Sequence, residues 1–334
     1  MLRKKSSYTL ILLSSILSPA IAAANSALPA LNLENTITVS GLSSGGYMAN
    51  QFHLAHAEVV TGAGIIAAGP YYCSEDSLSI AMEQCLGKEK SNPPVNDLFT
   101  IAQNNAKQQK IADLQQLQND NVWIFHGTQD KLVAASVTDA LVSFYQKVVP
   151  EKNIIYINNL AAGHGFPTLD TGLECAITGV PSINNCKYDA AGAMLTHLYP
   201  NLKEPSATTA QVQTFDQSLY NLENASLAKT GYIYIPKACS KGEKCKLHIS
   251  FHGCKNNAES IGTQFVESAG YNRWAESNNI VILYPQTTSM LIKNPYACWD
   301  WYGYTDEHFA ERDGKQIRSV WNMIQALNKN KKST

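Results

Sequence analysis

Residues 34–57, ENTITVSGLSSGGYMANQFHLAHA, restrict the fold more than any other stretch. A β-prone run, ENTITVSG, ends on a glycine, and YMANQFHLAHA then carries helical spacing. Between them lies G-x-S-x-G, from Gly41 to Gly45. Strand, tight turn and helix around this pattern form the setting of a nucleophile elbow. Gly41 and Gly45 remove side chains where strand and helix must approach closely. Ser43, flanked by both glycines at two residues' distance, is the nucleophile in this register. Ser44 lacks the glycine it would need at position 42.

The rest of the chain repeats strand and helix. GAGIIAAGP (62–70), NVWIFHG (121–127) and NIIYINN (153–159) are short apolar runs suited to buried parallel strands. Helical stretches at 97–118 and 138–148 separate them. A helix at 187–199 and a polar, irregular connector at 201–211 come next. Alternation resumes with strands at 230–236, 246–253 and 280–286 and helices at 259–278 and 312–328. This order predicts an α/β fold, a mostly parallel sheet with helices on both faces.

A serine hydroxyl needs a base, and the base needs an orienting carboxylate. In open parallel sheets reactive groups collect beyond the carboxyl ends of the strands. Asp130 lies just past NVWIFH, and His164 just past NIIYINN, between two glycines. Ser43, Asp130 and His164 therefore occur in the chain order of α/β-hydrolases. His126 and His252, at strand ends, are fallback bases. His53, His56 and His197 fall on helices; HLAHAE (53–58) matches no strong metal spacing and reads as helix surface or satisfied core.

The N-terminus, MLRKKSSY followed by TLILLSSILSPAIAAA, has the pattern of a secretory signal peptide spanning residues 1–24. An uncleaved anchor is the alternative. The remaining residues, 25–334, are expected to form a single catalytic domain with no integral membrane segment. With Arg3, Lys4 and Lys5 removed, 23 basic residues face 27 acidic ones, a net charge of −4 that gives nucleic acid no foothold. All eight cysteines follow the signal and fall into close pairs: Cys73/Cys85, Cys175/Cys186, Cys239/Cys245 and Cys254/Cys298. An even count behind an export signal predicts disulfides, and the absence of C-x-x-C argues against zinc.

Acyl transfer also requires backbone donors for the oxyanion. One is the amide after the nucleophile, that of Ser44. The other comes from a loop often opening with His-Gly, which FHGC (251–254) resembles. That loop follows the serine by about 210 residues, whereas the usual arrangement places it before. Circular permutation explains the order: the last helix would pack before the nucleophile strand, and the original ends would join around 200–228.

Five stretches resemble the secreted polyhydroxybutyrate depolymerases of circularly permuted type: VSGLSSGGYMANQFHLAHAEVVTGAGIIAAGPYYC, VWIFHGTQDKLV, NNCKYDAAGAMLTHLYPNL, TGYIYIPKACSKGEKCKLHISFHGCKNN, and IVILYPQTT followed by ACWDWYG. The resemblance implies an α/β-hydrolase fold and serine esterase chemistry on poly(3-hydroxybutyrate) or its oligomers. It implies Ser43 as nucleophile, Asp130 as orienter, His164 as base, and the amides of Ser44 and Cys254 as the oxyanion hole. In CWDWYG it implies Trp301, then Trp299, as aromatic substrate contacts. A Cys254–Cys298 disulfide would tie the oxyanion loop to that segment. The expected partner is a polyester or oligoester, with no metal or organic cofactor, in an extracellular or periplasmic location. The rival readings are an acetyl or feruloyl carbohydrate esterase, a lipase-like hydrolase, a serine peptidase, and an inactive secreted binding protein.

Overall fold

The computed structural model describes residues 26–88 and 92–328, so the expected signal peptide lies outside the described residues. In chain order the first half runs β1 (Leu33–Leu42), α1 (Ser44–Ala55), β2 (Val60–Ile66), α2 (Leu78–Glu83), α3 (Val95–Lys107), β3 (Asn121–Phe125), α4 (Ala135–Tyr145) and β4 (Ile154–Ile157). Three short strands follow, β5 (Phe166–Thr168), β6 (Leu173–Glu174) and β7 (Ile183–Asn185), then α5 (Ala190–Leu198). The remainder comprises β8 (Gln213–Asp216), β9 (Thr230–Tyr234), α6 (Lys237–Ser240), β10 (Cys245–Phe251), α7 (Ala258–Ile261), α8 (Gln264–Ser268), α9 (Tyr271–Asn278), β11 (Ile280–Tyr284) and α10 (Lys315–Leu327).

Eight strands form the main sheet in the order β4-β3-β2-β1-β10-β11-β9-β8. The six from β4 to β11 pair in parallel; β9 runs antiparallel to both of its neighbours. Strand β1 thus sits centrally, between β2 and β10, although about 200 residues separate it from the latter. The parallel strands are apolar on both sides because both sides are covered. Alternation then splits the core in two. Ile65, Ile124, Ile249 and Leu283 face a cluster with α1, α3, α4 and α10. Ile66, Trp123, Phe125, Ile282 and Tyr284 face one with α5 and α9.

Two segments differ from the sequence expectation. Residues 259–278 are three short helices rather than one, because Gly262 and Gly270 take φ of 62° and 93° and break the run. The helix expected over 97–118 ends at Lys107, and a 3₁₀ turn covers Leu114–Asn119. Strand β8 and the small sheet β5-β7-β6 are additions, their runs too short for periodicity to register.

All four cysteine pairs close as disulfides: Cys73–Cys85, Cys175–Cys186, Cys239–Cys245 and Cys254–Cys298. This is the chemistry of an oxidising compartment. The two ends of the described residues meet: the Leu31 amide donates to the Leu327 carbonyl at 2.7 Å.

Ile249 in β10 is fully buried at the middle of the sheet. Replacing it with alanine should cost about 2–5 kcal/mol in urea unfolding. A loss below roughly 1 kcal/mol would place β10 at an edge instead.

Candidate active site

Strand β1 stops at Leu42, and Ser43 adopts φ 57°, ψ −122° before α1 begins. A non-glycine residue with positive φ is strained backbone that its surroundings must hold. Here the Ser43 amide donates to the Ile66 carbonyl at 2.8 Å, and its carbonyl accepts from the Tyr47 amide at 3.0 Å. The glycines are sterically required. A Cβ on Gly41 would lie 2.0 Å from the Gly45 carbonyl oxygen, and one on Gly45 would lie 2.3 Å from that of Phe251. Ser43 itself is partly exposed, while Ser44 is buried.

Asp130 and His164, the expected orienter and base, follow β3 and β4, two neighbours on the same sheet. Their loops run together: the amides of Thr128 and Gln129 donate to the carbonyls of Leu160 and Ala162 at 2.9 and 3.0 Å. Asp130 Oδ2 lies 2.7 Å from His164 Nδ1, with both side chains buried. Asp130 Oδ1 accepts from the amides of Leu132 and Val133 at 2.8 and 3.0 Å. Burial pushes the Asp130 carboxyl up, but the hydrogen bond and charge of His164 and the two amides together hold it below the ordinary carboxylate value. Bonded to a carboxylate at Nδ1, His164 keeps Nε2 free to accept a proton.

The FHGC loop reaches the same place from β10. Gly41 pairs with Phe251 in the β1–β10 register, so Ser43–Ser44 and Gly253–Cys254 leave the sheet side by side. Among the described residues, neither the Ser44 nor the Cys254 amide donates a hydrogen bond within the chain. His252 is not an alternative base. It is fully buried; the Thr287 amide donates to its Nε2 at 3.2 Å, which leaves Nδ1–H to donate to the Gly253 carbonyl at 2.7 Å. Burial lowers its pKa to about 4, so it is a neutral clamp on the loop. His126, also lowered by burial, contacts Thr138 Oγ1 at 3.2 Å. His53 is held by Asp120 and Tyr145 at 3.0 Å each, and His56 stacks on Trp321 at 4.2 Å. His197 donates to the Asn153 carbonyl at 2.9 Å.

The two tryptophans of CWDWYG part company. Trp301 keeps 8% of its surface and stacks on Tyr47 at 5.0 Å, one helical turn from Ser43. Trp299 has 0% exposure and packs edge-on against Phe251 at 4.9 Å, so it is a core side chain and not the second substrate contact expected. Its amide contributes instead, donating to Ser44 Oγ at 3.3 Å. The residue between them, Asp300, went unread in the sequence. It is fully buried and gathers donors from residues 302–305. Among the described residues, no cluster of His, Cys, Asp and Glu suits a metal ion.

No family model matches the chain. It is 41% identical over 304 residues to a poly(3-hydroxybutyrate) depolymerase of Delftia acidovorans, across 89% of this chain and 60% of that protein. The chain therefore spans less than two thirds of that relative. It is 32% identical over 324 residues to a polyhydroxybutyrate depolymerase of Talaromyces funiculosus, across 91% of this chain and 93% of that protein. The crystal structure of a PHB depolymerase from Penicillium funiculosum superposes with a TM-score of 0.85 at 31% identity, covering 90% of this chain and 98% of that one. A serine-to-alanine PHB depolymerase complexed with an R3HB trimer gives 0.84 at the same identity and coverage.

The depressed Asp130 carboxyl has a testable sign. Its stabilising contribution is full above its unfolded value of 3.8 and disappears as pH falls through the lower folded value. Wild type should therefore lose stability faster than Asp130→Asn on acidification below about pH 4. Parallel stability-versus-pH curves from chemical unfolding would contradict the pairing.

Proposed function

The chain belongs to the polyhydroxybutyrate depolymerase family, and from that premise we propose that it is a secreted serine esterase acting on poly(3-hydroxybutyrate) or its oligomers. The observation that carries the chemistry is the buried Asp130–His164 pair, set with Ser43 beyond the carboxyl ends of parallel strands. In this reading His164 Nε2 takes the proton of Ser43 as Oγ attacks the ester carbonyl carbon. The carbonyl π-electrons move to oxygen, which the amides of Ser44 and Cys254 receive. Collapse breaks the ester C–O bond, and His164 returns the proton to the departing hydroxyl. Water, deprotonated by His164, then attacks the acyl carbonyl carbon; the bond to Ser43 Oγ breaks, His164 returns the proton to Oγ, and the acid leaves. Asp130 stays ionised and holds the imidazole in its working tautomer.

The substrate assignment draws on the relatives' named activity and on the R3HB trimer held by the structural neighbour. Trp301, stacked on Tyr47 and keeping 8% of its surface, is the aromatic side chain assigned here to the chain flanking the scissile ester. The described residues act as one catalytic domain. Secretion accords with the four disulfides and the N-terminal signal pattern. Circular permutation accords with β10 beside β1 and with the meeting of Leu31 and Leu327.

Purified protein and Ser43→Ala should be incubated with 3-hydroxybutyrate trimer, amorphous polymer and a simple acetyl ester, and the released acids identified by mass spectrometry. Wild type should release 3-hydroxybutyrate, and the variant should be slower by roughly four to six orders of magnitude. Turnover of the acetyl ester alone would discard the substrate. Undiminished turnover by Ser43→Ala would discard the nucleophile.

A further inference from the structure

The segment Cys298–Thr305 lies against the first turns of α1 by three consecutive residues. The Trp299 amide donates to Ser44 Oγ at 3.3 Å, the Asp300 carbonyl accepts from Gln51 Nε2 at 2.9 Å, and Trp301 stacks on Tyr47. The middle residue also organises the loop. Asp300 Oδ1 accepts from the amides of Tyr302, Gly303 and Tyr304 at 3.3, 2.8 and 3.0 Å. Its Oδ2 accepts from the amide and the hydroxyl of Thr305 at 2.8 and 2.5 Å. Its own amide donates to Gln316 Oε1 at 2.7 Å, on the first turn of α10.

So wholly buried a carboxylate is costly, and its desolvation must be met by donors. Burial lifts its pKa to about 6 even against the bonds from Thr305, Tyr304 and Tyr302. Asparagine could place a hydrogen-bond acceptor at only one of the two oxygen positions; at the other its NH₂ would confront amide hydrogens. The structure puts such a group where it has no access to solvent and fixes one turn of chain carrying Trp301 on one side and the Ser44 contact on the other.

We propose that Asp300 is a positioning residue of the esterase: it folds the 299–305 loop onto the nucleophile helix and thereby presents Trp301 to the substrate chain. This rests on the reading of Trp301 as a substrate contact. A residue acting this way governs binding of the extended oligomer more than attack on a small ester, because Ser43, Asp130 and His164 are held by other elements and the Cys254 loop keeps its His252 clamp on Gly253.

The test is Asp300→Asn, with Thr305→Val and Gln51→Met as milder cuts in the same web should the first fail to fold. Kinetics on 3-hydroxybutyrate trimer and on an acetyl ester would be measured beside hydrogen–deuterium exchange of residues 302–305. The amides of 302–305 should exchange faster, and KM for the trimer should rise about tenfold, with kcat for the acetyl ester within about threefold of wild type. Trp301→Ala should raise trimer KM similarly, and the double variant should be no worse than either single one, the sign of one shared function. Faster exchange with unchanged trimer KM would overturn the positioning role. So would equal losses on both esters, or fully additive effects. An unchanged trimer KM in Trp301→Ala alone would remove the substrate contact, and it would do so whatever Asp300→Asn shows.

Discussion

The pairing of β1 with β10 is the constraint on which everything else here depends. These two strands are far apart in the chain, yet they bring Ser43, the proposed nucleophile, and the FHGC loop, the proposed oxyanion loop, to the same end of the sheet. Their register is pinned from within the sheet. Thr38 Oγ1 and Ser40 Oγ lie 2.7 Å from the two ring nitrogens of His248, a residue that burial keeps neutral with a pKa of about 3. Ser40 also meets the Tyr271 hydroxyl at 2.7 Å. A slip of one residue would turn these groups to the opposite face and leave each of them unpaired in the core. At the strand ends the same register presses Gly45 against the Phe251 carbonyl, where no side chain fits. Chemistry at Ser43 therefore inherits its geometry from a buried polar chain about three residues below it.

Two further fixtures act on the oxyanion side. The neutral imidazole of His252 grips the Gly253 carbonyl, and the Cys254–Cys298 disulfide ties the loop to the tryptophan segment. Preorganised donors are effective because they need not reorient as charge develops. The acid–base side is built separately, from loops after β3 and β4 that hold one another through backbone bonds. Ser43 lies where β1 gives way to α1 and is held there at a φ of 57°.

Much of this was legible in the sequence, for identifiable reasons. Gly41 and Gly45 are demanded by backbone contact, so the elbow leaves a mark that survives without tertiary context. The pairing of Asp130 with His164 is legible because parallel strands are apolar runs with sharp ends, and both residues sit just beyond such ends. Three disulfides join cysteines 6 to 12 residues apart, while Cys254–Cys298 spans 44. What escaped depends on packing. Nothing local separates Trp299 from Trp301; the first packs on Phe251 with no exposure, and the second stacks on Tyr47 and keeps 8% of its surface. Asp300 is an acidic residue between two tryptophans, and its value lies in amides that turn back toward it. Residues 259–278 carry a helical pattern that two positive-φ glycines interrupt.

Ser43 alone, among the serines of GLSSGGY, is the proposed activated nucleophile. Mature protein would be treated with a fluorophosphonate, and the adduct located by peptide mass spectrometry. A single adduct should form on Ser43, far more slowly in His164→Ala. Labelling of Ser44, or labelling of Ser43 at an unchanged rate without His164, would contradict it.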